Sequence, residues 1–258
     1  MIRLLTTLFL SLSLFACASS APKGGAAPST PNDNEDPYYS FTLLRQGSVL
    51  MQQRRYEEAL DRFLQAQQIS PGNSTIHNMV GLCYMQLDQL DKAVAAFDRA
   101  LSLTPSFTDA RNNRGSAYLA QGKSHLAEVD FLAVLADTTY PHRWESFYNL
   151  GMAQLQQGRL GSAEESFKRA AFAPVPVFEA YLRLAEIAQR QGRTDTAIDL
   201  LEELRVKAPD RMDAAFELGR MLTQLGRHEE ARPHLEAVIA ADPSSPLADE
   251  ARALLNAP

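Results

Sequence analysis

The feature that most constrains this chain is a pattern that occurs six times, with a spacing of 34 residues that lengthens once to 36. In each copy a small residue precedes a large apolar one by four places: Ala59/Phe63, Ala93/Phe97, Ala127/Phe131, Ala163/Phe167, Ala197/Leu201 and Ala231/Leu235. Twelve residues before each alanine stands another small residue: Gly47, Gly81, Gly115, Gly151, Ala185 and Gly219. Twelve residues after it, proline stands in four of the six copies: Pro71, Pro105, Thr139, Val175, Pro209 and Pro243. Three columns in register predict a tandem repeat.

Each copy predicts two amphipathic helices joined by a turn, because its apolar residues recur at spacings of three and four. The small residues allow the two helices to approach closely, and Phe or Leu fills the space beside them. The Pro column is expected to end the second helix, since proline cannot continue it and restrains the residue before it. One hairpin cannot bury both of its faces, so the copies should stack into a superhelical array with a concave groove.

The period, the early Leu-Gly, the central Ala-x-x-x-Phe and the final Pro resemble the tetratricopeptide repeat family. The resemblance implies an all-α superhelical solenoid of six such repeats with a C-terminal capping helix. We expect one repeat domain, residues 38–258, with repeats at about 40–73, 74–107, 108–141, 144–177, 178–211 and 212–245 and the cap at 246–258.

The N-terminus predicts a lipoprotein signal peptide over residues 1–16, with Arg3 followed by the apolar run Leu4–Phe15. Leu14-Phe15-Ala16-Cys17 resembles a bacterial lipobox, which implies cleavage before Cys17 and lipidation of that residue. The alternative is an ordinary signal peptide with a chance cysteine. Ala18, in the place where an Asp tends to retain lipoproteins in the inner membrane, implies an outer-membrane, periplasm-facing location. Residues 17–37 are then the lipidated Cys and a disordered linker.

Composition and motifs argue against several classes of function. The net charge is −6 and the pI about 5.4, which disfavours nucleic acid as a partner. We find no metal-ligand motif, phosphate loop or nucleophile elbow, so we expect no cofactor, no metal site and no enzymatic activity. Besides Cys17 the chain has only Cys83, which we interpret as a buried thiol, with an intermolecular bridge as the alternative.

Binding residues are expected in the groove, which the first helices of the repeats line. The candidates are four amides, which can pair with the backbone of an extended segment, and three aromatic residues beside them: Asn78, Asn112, Asn113, Asn149, Tyr140, Trp144 and Tyr148. The amides could instead be ordinary solvated residues, and Tyr148 could belong to the core.

A narrower resemblance covers the place where two extra residues enter the repeat. Asn112-Asn113-x-Gly115, then Asp137-Thr138-Thr139-Tyr140-Pro141-x-Arg143, then Asn149-Leu150-Gly151 resembles the type IV pilus pilotin lipoproteins. That resemblance implies an outer-membrane lipoprotein that binds subunits of the pilus secretin and promotes their oligomerisation, in support of pilus assembly and motility. The alternative is a general periplasmic scaffold of the same repeats that recruits cell-wall enzymes.

Overall fold

The computed structural model describes residues 37–256, so the predicted signal peptide, Cys17 and most of the linker lie outside the described residues. The described part contains thirteen helices and no strand, which confirms the predicted all-α class of six helix pairs and a cap. The helices are α1 Pro37–Gln52, α2 Tyr56–Ile69, α3 Ser74–Gln86, α4 Leu90–Leu103, α5 Thr108–Ala120, α6 Ser124–Leu135, α7 Arg143–Gln156, α8 Leu160–Ala171, α9 Phe178–Arg190, α10 Thr194–Lys207, α11 Met212–Gln224, α12 His228–Ala241 and α13 Pro246–Leu255.

The described residues divide into two compact units, with the boundary between Gln157 and Gly158. In the first, α1 to α6 form three helical hairpins, and α7 packs on α6. In the second, α8 packs on α9, two hairpins follow from α9 to α12, and α13 packs on α12 and α11. No helix within residues 37–256 combines the length and the apolar character that crossing a bilayer would require.

The small columns act as predicted at the helix crossings. A Cβ added to Gly47 would lie 2.5 Å from a ring carbon of Phe63, and one added to Gly81 would lie 2.5 Å from the ring of Phe97. At Gly219 the nearest atom would be a methyl carbon of Leu235, 2.6 Å away. Distances this short leave no room for any side chain, so the paired helices touch where the sequence has glycine.

The Pro column also ends helices as predicted. Helices α2, α4, α10 and α12 each stop two residues before their proline, and the residue before each proline leaves the helical conformation. The two copies without proline have shorter second helices, 12 residues instead of 14. After α6, Asp137 accepts hydrogen bonds from Thr139, which stabilises a turn in place of another helical turn.

A fourth column appears in the turn between the two helices of each hairpin. The residues there have positive φ, between 58° and 74°: Arg54, Asp88, Gly122, Gly158, Gly192 and Gly226. In the first hairpin the N–H of the next residue, Arg55, donates a hydrogen bond to the Leu50 carbonyl at 3.0 Å. A bond of this kind, between residues five apart, caps the C-terminus of a helix. Glycine adopts this conformation at no steric cost, so four copies use it, whereas Arg54 and Asp88 are strained there.

The outer face of α1 differs from the same face of α3. Ile76, Val80 and Cys83 of α3 are buried against the first hairpin, with exposed fractions of 3% or less. One repeat earlier, the corresponding residues of α1 are Thr42, Gln46 and Val49, of which Gln46 and Val49 are exposed. The positions that stack on a neighbour in α3 are therefore only partly polar in α1, since Val49 is exposed there and Tyr38, Tyr39 and Phe41 of the same helix are also exposed.

Candidate functional site

The candidate site is built on the irregular connection between α6 and α7, residues 136–142. Asp137 accepts hydrogen bonds from the backbone N–H of Thr139 at 2.9 Å and from its hydroxyl at 2.6 Å. These bonds, the hydroxyl first, hold the pKa of the Asp137 carboxyl below its usual value. The buried Tyr140 donates its hydroxyl to Asp109 at the start of α5, at 2.9 Å. The two-residue insertion is thus a folded loop that is fastened to the preceding helix.

An aromatic surface begins where this loop enters α7. The guanidinium carbon of Arg143 lies 4.9 Å from the centre of the Trp144 ring and 5.9 Å from that of Phe147. The two rings are stacked, with centroids 6.1 Å apart and planes at 23°. A cation over stacked rings is a favourable arrangement, worth about 0.5–2 kcal/mol depending on burial. Trp144 is half-buried, so part of the indole faces solvent.

The predicted amides form hydrogen bonds between neighbouring repeats. Asn113 of α5 donates from its side-chain amide to the Asn78 side-chain oxygen of α3 at 3.0 Å. The Asn112 side-chain oxygen accepts a hydrogen bond from the hydroxyl of Ser146 on α7 at 2.9 Å. All four side chains are at least 94% buried. These side-chain hydrogen bonds therefore link α3 to α5 and α5 to α7, the first helices of their repeats, which were predicted to line the groove.

Asn149 is the exception among these amides. It is 1% exposed, and its Nδ2 atom makes no hydrogen bond with the described residues. Glu145 Oε2 and Arg143 Nε, on the same helix, are also buried atoms without such a bond. A buried polar group without a partner costs about 1–3 kcal/mol, so each needs an explanation. All three atoms lie beneath the surface of the protein, so a bound segment does not reach them without movement of the side chains around α7.

The structure brings the seven predicted binding residues into one unit, with most of them buried. Trp144 is the one that is half-buried, and the other six are between 1% and 6% exposed: Asn78, Asn112, Asn113, Tyr140, Tyr148 and Asn149. Tyr148 thus belongs to the packed interior, the alternative that the sequence left open for it. Whether these residues bind a partner stays a prediction.

Sequence reasoning did not find an ion-pair network beside this site. Arg114 of α5 donates from two nitrogens to the carboxylate of Asp130 on α6, at 2.8 and 2.7 Å, and from a third to Asp98 at 2.7 Å. These carboxylates, Asp130 first, raise the pKa of the Arg114 guanidinium, so it stays charged at any working pH. Asp130 is 2% exposed, and the bidentate pair fixes α6 on α5. In the sequence, the only indication of this network is Asp130, an acidic residue among the apolar residues on the inner side of α6.

Groups that could support other chemistry are sparse. The thiol of Cys83 is fully buried, and burial raises its pKa to about 12, as expected for an inert core cysteine. Within residues 37–256 no three His, Cys, Asp or Glu side chains converge to hold a metal ion. The expectation that the protein is not an enzyme stays a prediction.

Two solved structures share this fold over almost their whole length. A structure titled PilW, a widely conserved type IV pilus biogenesis factor, is 23% identical, with a TM-score of 0.73 over 82% of this chain and 97% of that one. PilF of Pseudomonas aeruginosa is 19% identical, with a TM-score of 0.70 over 83% of this chain and 96% of that one. At these identities the likeness concerns the fold.

Among curated sequences, the CTR9 homolog of Arabidopsis thaliana is 27% identical over 78% of this chain and 22% of its own length. The chloroplast protein PYG7 of the same plant, which contains a tetratricopeptide repeat domain, is 35% identical over 37% of this chain and 34% of its own length. The chain thus spans between about a fifth and a third of these relatives.

The family models agree with the geometry of the hairpins. A model described as "Tetratricopeptide repeat" matches residues 112–176 and 182–246, which together make up half of the chain. A second model, described as "TPR repeat", matches residues 81–122. With helix pairs at the same spacing through the described residues, the chain belongs to the tetratricopeptide repeat family.

Proposed function

We propose that this protein is an outer-membrane lipoprotein that acts as a pilotin, binding subunits of the type IV pilus secretin and promoting their oligomerisation and insertion. The observation that carries the proposal is the folded 137–143 segment, where the pilotin resemblance lies. It meets α7 at the aromatic surface, so several residues of the resemblance lie close together, which supports a shared role for them. The fold shared with PilW and PilF supports a role in pilus biogenesis.

The lipid and the repeats have separate tasks in this proposal. Cleavage before Cys17 would leave a lipidated N-terminus that holds the protein at the outer membrane, facing the periplasm. Each buried acyl CH₂ contributes about 0.8 kcal/mol, so more than one chain makes a lasting anchor. The linker that follows would let the repeats reach a secretin subunit near the membrane surface. The repeats would bind the subunit without covalent chemistry.

At the site, the partner's segment would lie against α7. Asn149 is 1% exposed, so its amide would donate to a backbone carbonyl of that segment only after the side chains that cover it move aside, and the bond would then remove the cost of the unpaired donor. Trp144 would supply an apolar surface with an Arg143 cation above it, the type of anchor enriched in binding hot spots. Asn113 and Asn112 are already hydrogen-bonded within the chain, so they hold the neighbouring helices in place rather than face the partner directly.

The proposal is tested in the organism that makes the protein. Deletion of the gene should abolish detergent-resistant secretin multimers, and normal multimers in the deletion strain would refute the pilotin role. Cys17→Ala should remove the protein from the outer membrane and reduce the multimers. A pull-down from membrane extract separates the pilotin from a general scaffold: the first should recover secretin, the second cell-wall enzymes.

The site is tested separately with point variants. Trp144→Ala and Asn149→Ser should each reduce recovery of the secretin while the helix content stays unchanged. Gln68→Ser, at an exposed polar position on α2, is the matched control and should have no effect. Equal secretin recovery by all three variants would mean that the segment binds elsewhere on the repeats.

A further inference from the structure

Helix α6 has a second apolar face that nothing in the described chain covers. Its inner side, with Ala127 and Phe131, is fully buried. On the opposite side Leu126, Val129 and Leu132 are 49%, 65% and 52% exposed. We call these three side chains the outer stripe. A helix with apolar residues on both sides is typical of one that is buried on both sides.

The outer stripe is peculiar to the third repeat. The residues that correspond to Leu126 in the other five copies are all polar: Glu58, Lys92, Ser162, Thr196 and Glu230. At the position of Val129 the others carry an acidic residue, Ala or Pro: Asp61, Ala95, Glu165, Asp199 and Pro233. At the position of Leu132, four of the five are charged: Leu64, Asp98, Lys168, Glu202 and Glu236. Since packing inside the array does not require apolar residues at these positions, another contact must favour them in α6.

We infer that the outer stripe is a docking surface for an amphipathic helix of a protein partner. Its members stand at i, i+3 and i+6, the spacing at which one helix lays its ridges against another. Helix α6 has 12 residues and so is about 18 Å long, enough to hold three turns of a partner helix. The inference does not depend on the proposed pilotin role, because the stripe lies on α6 and not on the α7 surface.

The size and charge of the face argue against a second copy of the chain. A stable interface between two folded surfaces typically buries about 800 Å² on each side, far more than three half-exposed aliphatic side chains offer. Two copies would also bring together chains that each carry a net charge of −6. A single helix needs only a narrow apolar seam, which matches what α6 presents.

The charges on α6 argue against a lipid surface and indicate what flanks the partner's apolar face. The helix sequence, SHLAEVDFLAVL, has no Lys or Arg, whereas helices that lie on anionic membranes carry them on the polar face. Glu128, whose carboxylate accepts hydrogen bonds from Gln154 and Gln157, lies beside the stripe. The exposed Asp137 follows the helix with its pKa held below the usual value, so it is ionised at neutral pH. A partner helix with Lys or Arg at the edges of its apolar face would complement these carboxylates.

The experiment uses the full lipidated chain in nanodiscs of zwitterionic lipid. The probe is a fluorescein-labelled 18-residue helical peptide of Leu and Lys, with a Leu and Glu peptide of the same pattern as its charge control. Binding is followed by fluorescence anisotropy, and the signal of empty nanodiscs is subtracted. The first variant replaces Leu126, Val129 and Leu132 together with Ser.

The matched control replaces three comparably exposed aliphatic residues elsewhere, Val49, Val206 and Leu225, with Ser. Because both sets are exposed, circular dichroism should show unchanged helix content in both. We expect the parent and the control variant to bind the Leu/Lys peptide equally. The outer-stripe variant should bind that peptide at least tenfold more weakly. The parent should bind the Leu/Glu peptide at least tenfold more weakly than the Leu/Lys peptide.

Three results would overturn the inference. Equal peptide binding by the outer-stripe variant and the parent would show that the stripe is not the docking surface. A concentration-dependent dimer in analytical ultracentrifugation that the outer-stripe variant abolishes would assign the face to a second copy. Sedimentation of the full chain with added anionic vesicles that is lost in the same variant would assign it to the membrane.

Discussion

Substitution of Gly81 by Ala tests whether the repeats are held together by close contact between their paired helices. A Cβ at this position would lie 2.5, 2.7 and 2.8 Å from three ring carbons of Phe97. The ring is fully buried, so it cannot swing into solvent to make room. We therefore expect the second hairpin to open slightly and the protein to lose stability.

The magnitude follows from two opposing contributions. Alanine is a better helix former than glycine by about 1 kcal/mol. Overpacking of a filled core costs about 1–3 kcal/mol, and three ring atoms inside 3 Å place Gly81→Ala at the upper end. The net loss should be about 2 kcal/mol. For a chain of this size, 1 kcal/mol corresponds to about 2–4 °C, so the melting temperature should fall by about 4–8 °C.

A second substitution in the same hairpin, at Phe97, shows whether the aromatic ring of that residue causes the loss of stability. The fifth repeat pairs Ala185 with Leu201 where the second pairs Gly81 with Phe97, and both residues of that pair are buried. Gly81→Ala combined with Phe97→Leu reproduces this natural pair. The double variant should lose less stability than the sum of its two single variants, by about 1 kcal/mol, as contacting residues do.

The assay is thermal unfolding followed by circular dichroism, with Gly161→Ala as the control. Gly161 lies inside α8 and an added Cβ would meet nothing within 4 Å, so that variant should be unchanged or stabilised by about 0.5 kcal/mol. If Gly81→Ala melts at or above the parent temperature, or if the double variant is no better than additive, the helices do not touch at this column.

Three further predictions use other features of the repeat. Ala93→Leu, which adds bulk at a fully buried position, should lower the melting temperature by several degrees, and an unchanged value would mean that the helix crossing lies elsewhere. Because φ is positive at Arg54, Arg54→Gly should raise the free energy of unfolding, measured in urea, by about 0.5 kcal/mol. For the same reason Gly122→Ala should lower it by about 1–2 kcal/mol. Effects of the opposite sign would contradict the turn geometry. The pKa of Cys83 is raised to about 12, so at pH 8 its thiol should react with a disulfide reagent only after denaturant is added, and rapid labelling of Cys83 in the native protein would refute its burial.

The hairpins were predictable because their signals are local and recur in register. Gly81 with Phe97, and Pro71 after α2, identify a crossing and a helix end from the sequence alone, and six copies reinforce one another. The positive-φ turn was harder to predict, because Arg54 and Asp88 occupy a column that is otherwise glycine. The column becomes visible only when the backbone conformations of the six copies are compared, because the residue type differs among them.

The position of the loop before α7 was predictable, but the contacts around it were not. The two-residue insertion marked the loop before α7, since it is the one place where the period changes. The burial of Asn112 and Asn113 depends on which turn of α3 and α7 lies opposite them, which a single helix pattern does not specify. The pairing of Arg114 with Asp130 has the same origin, because two residues on different helices meet only through the geometry of the hairpin.

The exposed Gln46 on the outer face of α1 has a consequence for the behaviour of the protein at high concentration. An end that offered Ile and Val, as α3 does at Ile76 and Val80, could receive the last helix of another molecule, and a heterologous contact of that kind extends into filaments. Gln46 makes such a junction costly, since its exposed amide would lose water without gaining a partner. This side chain therefore opposes continued stacking between molecules at its own turn of α1, in a fold that is itself made by stacking.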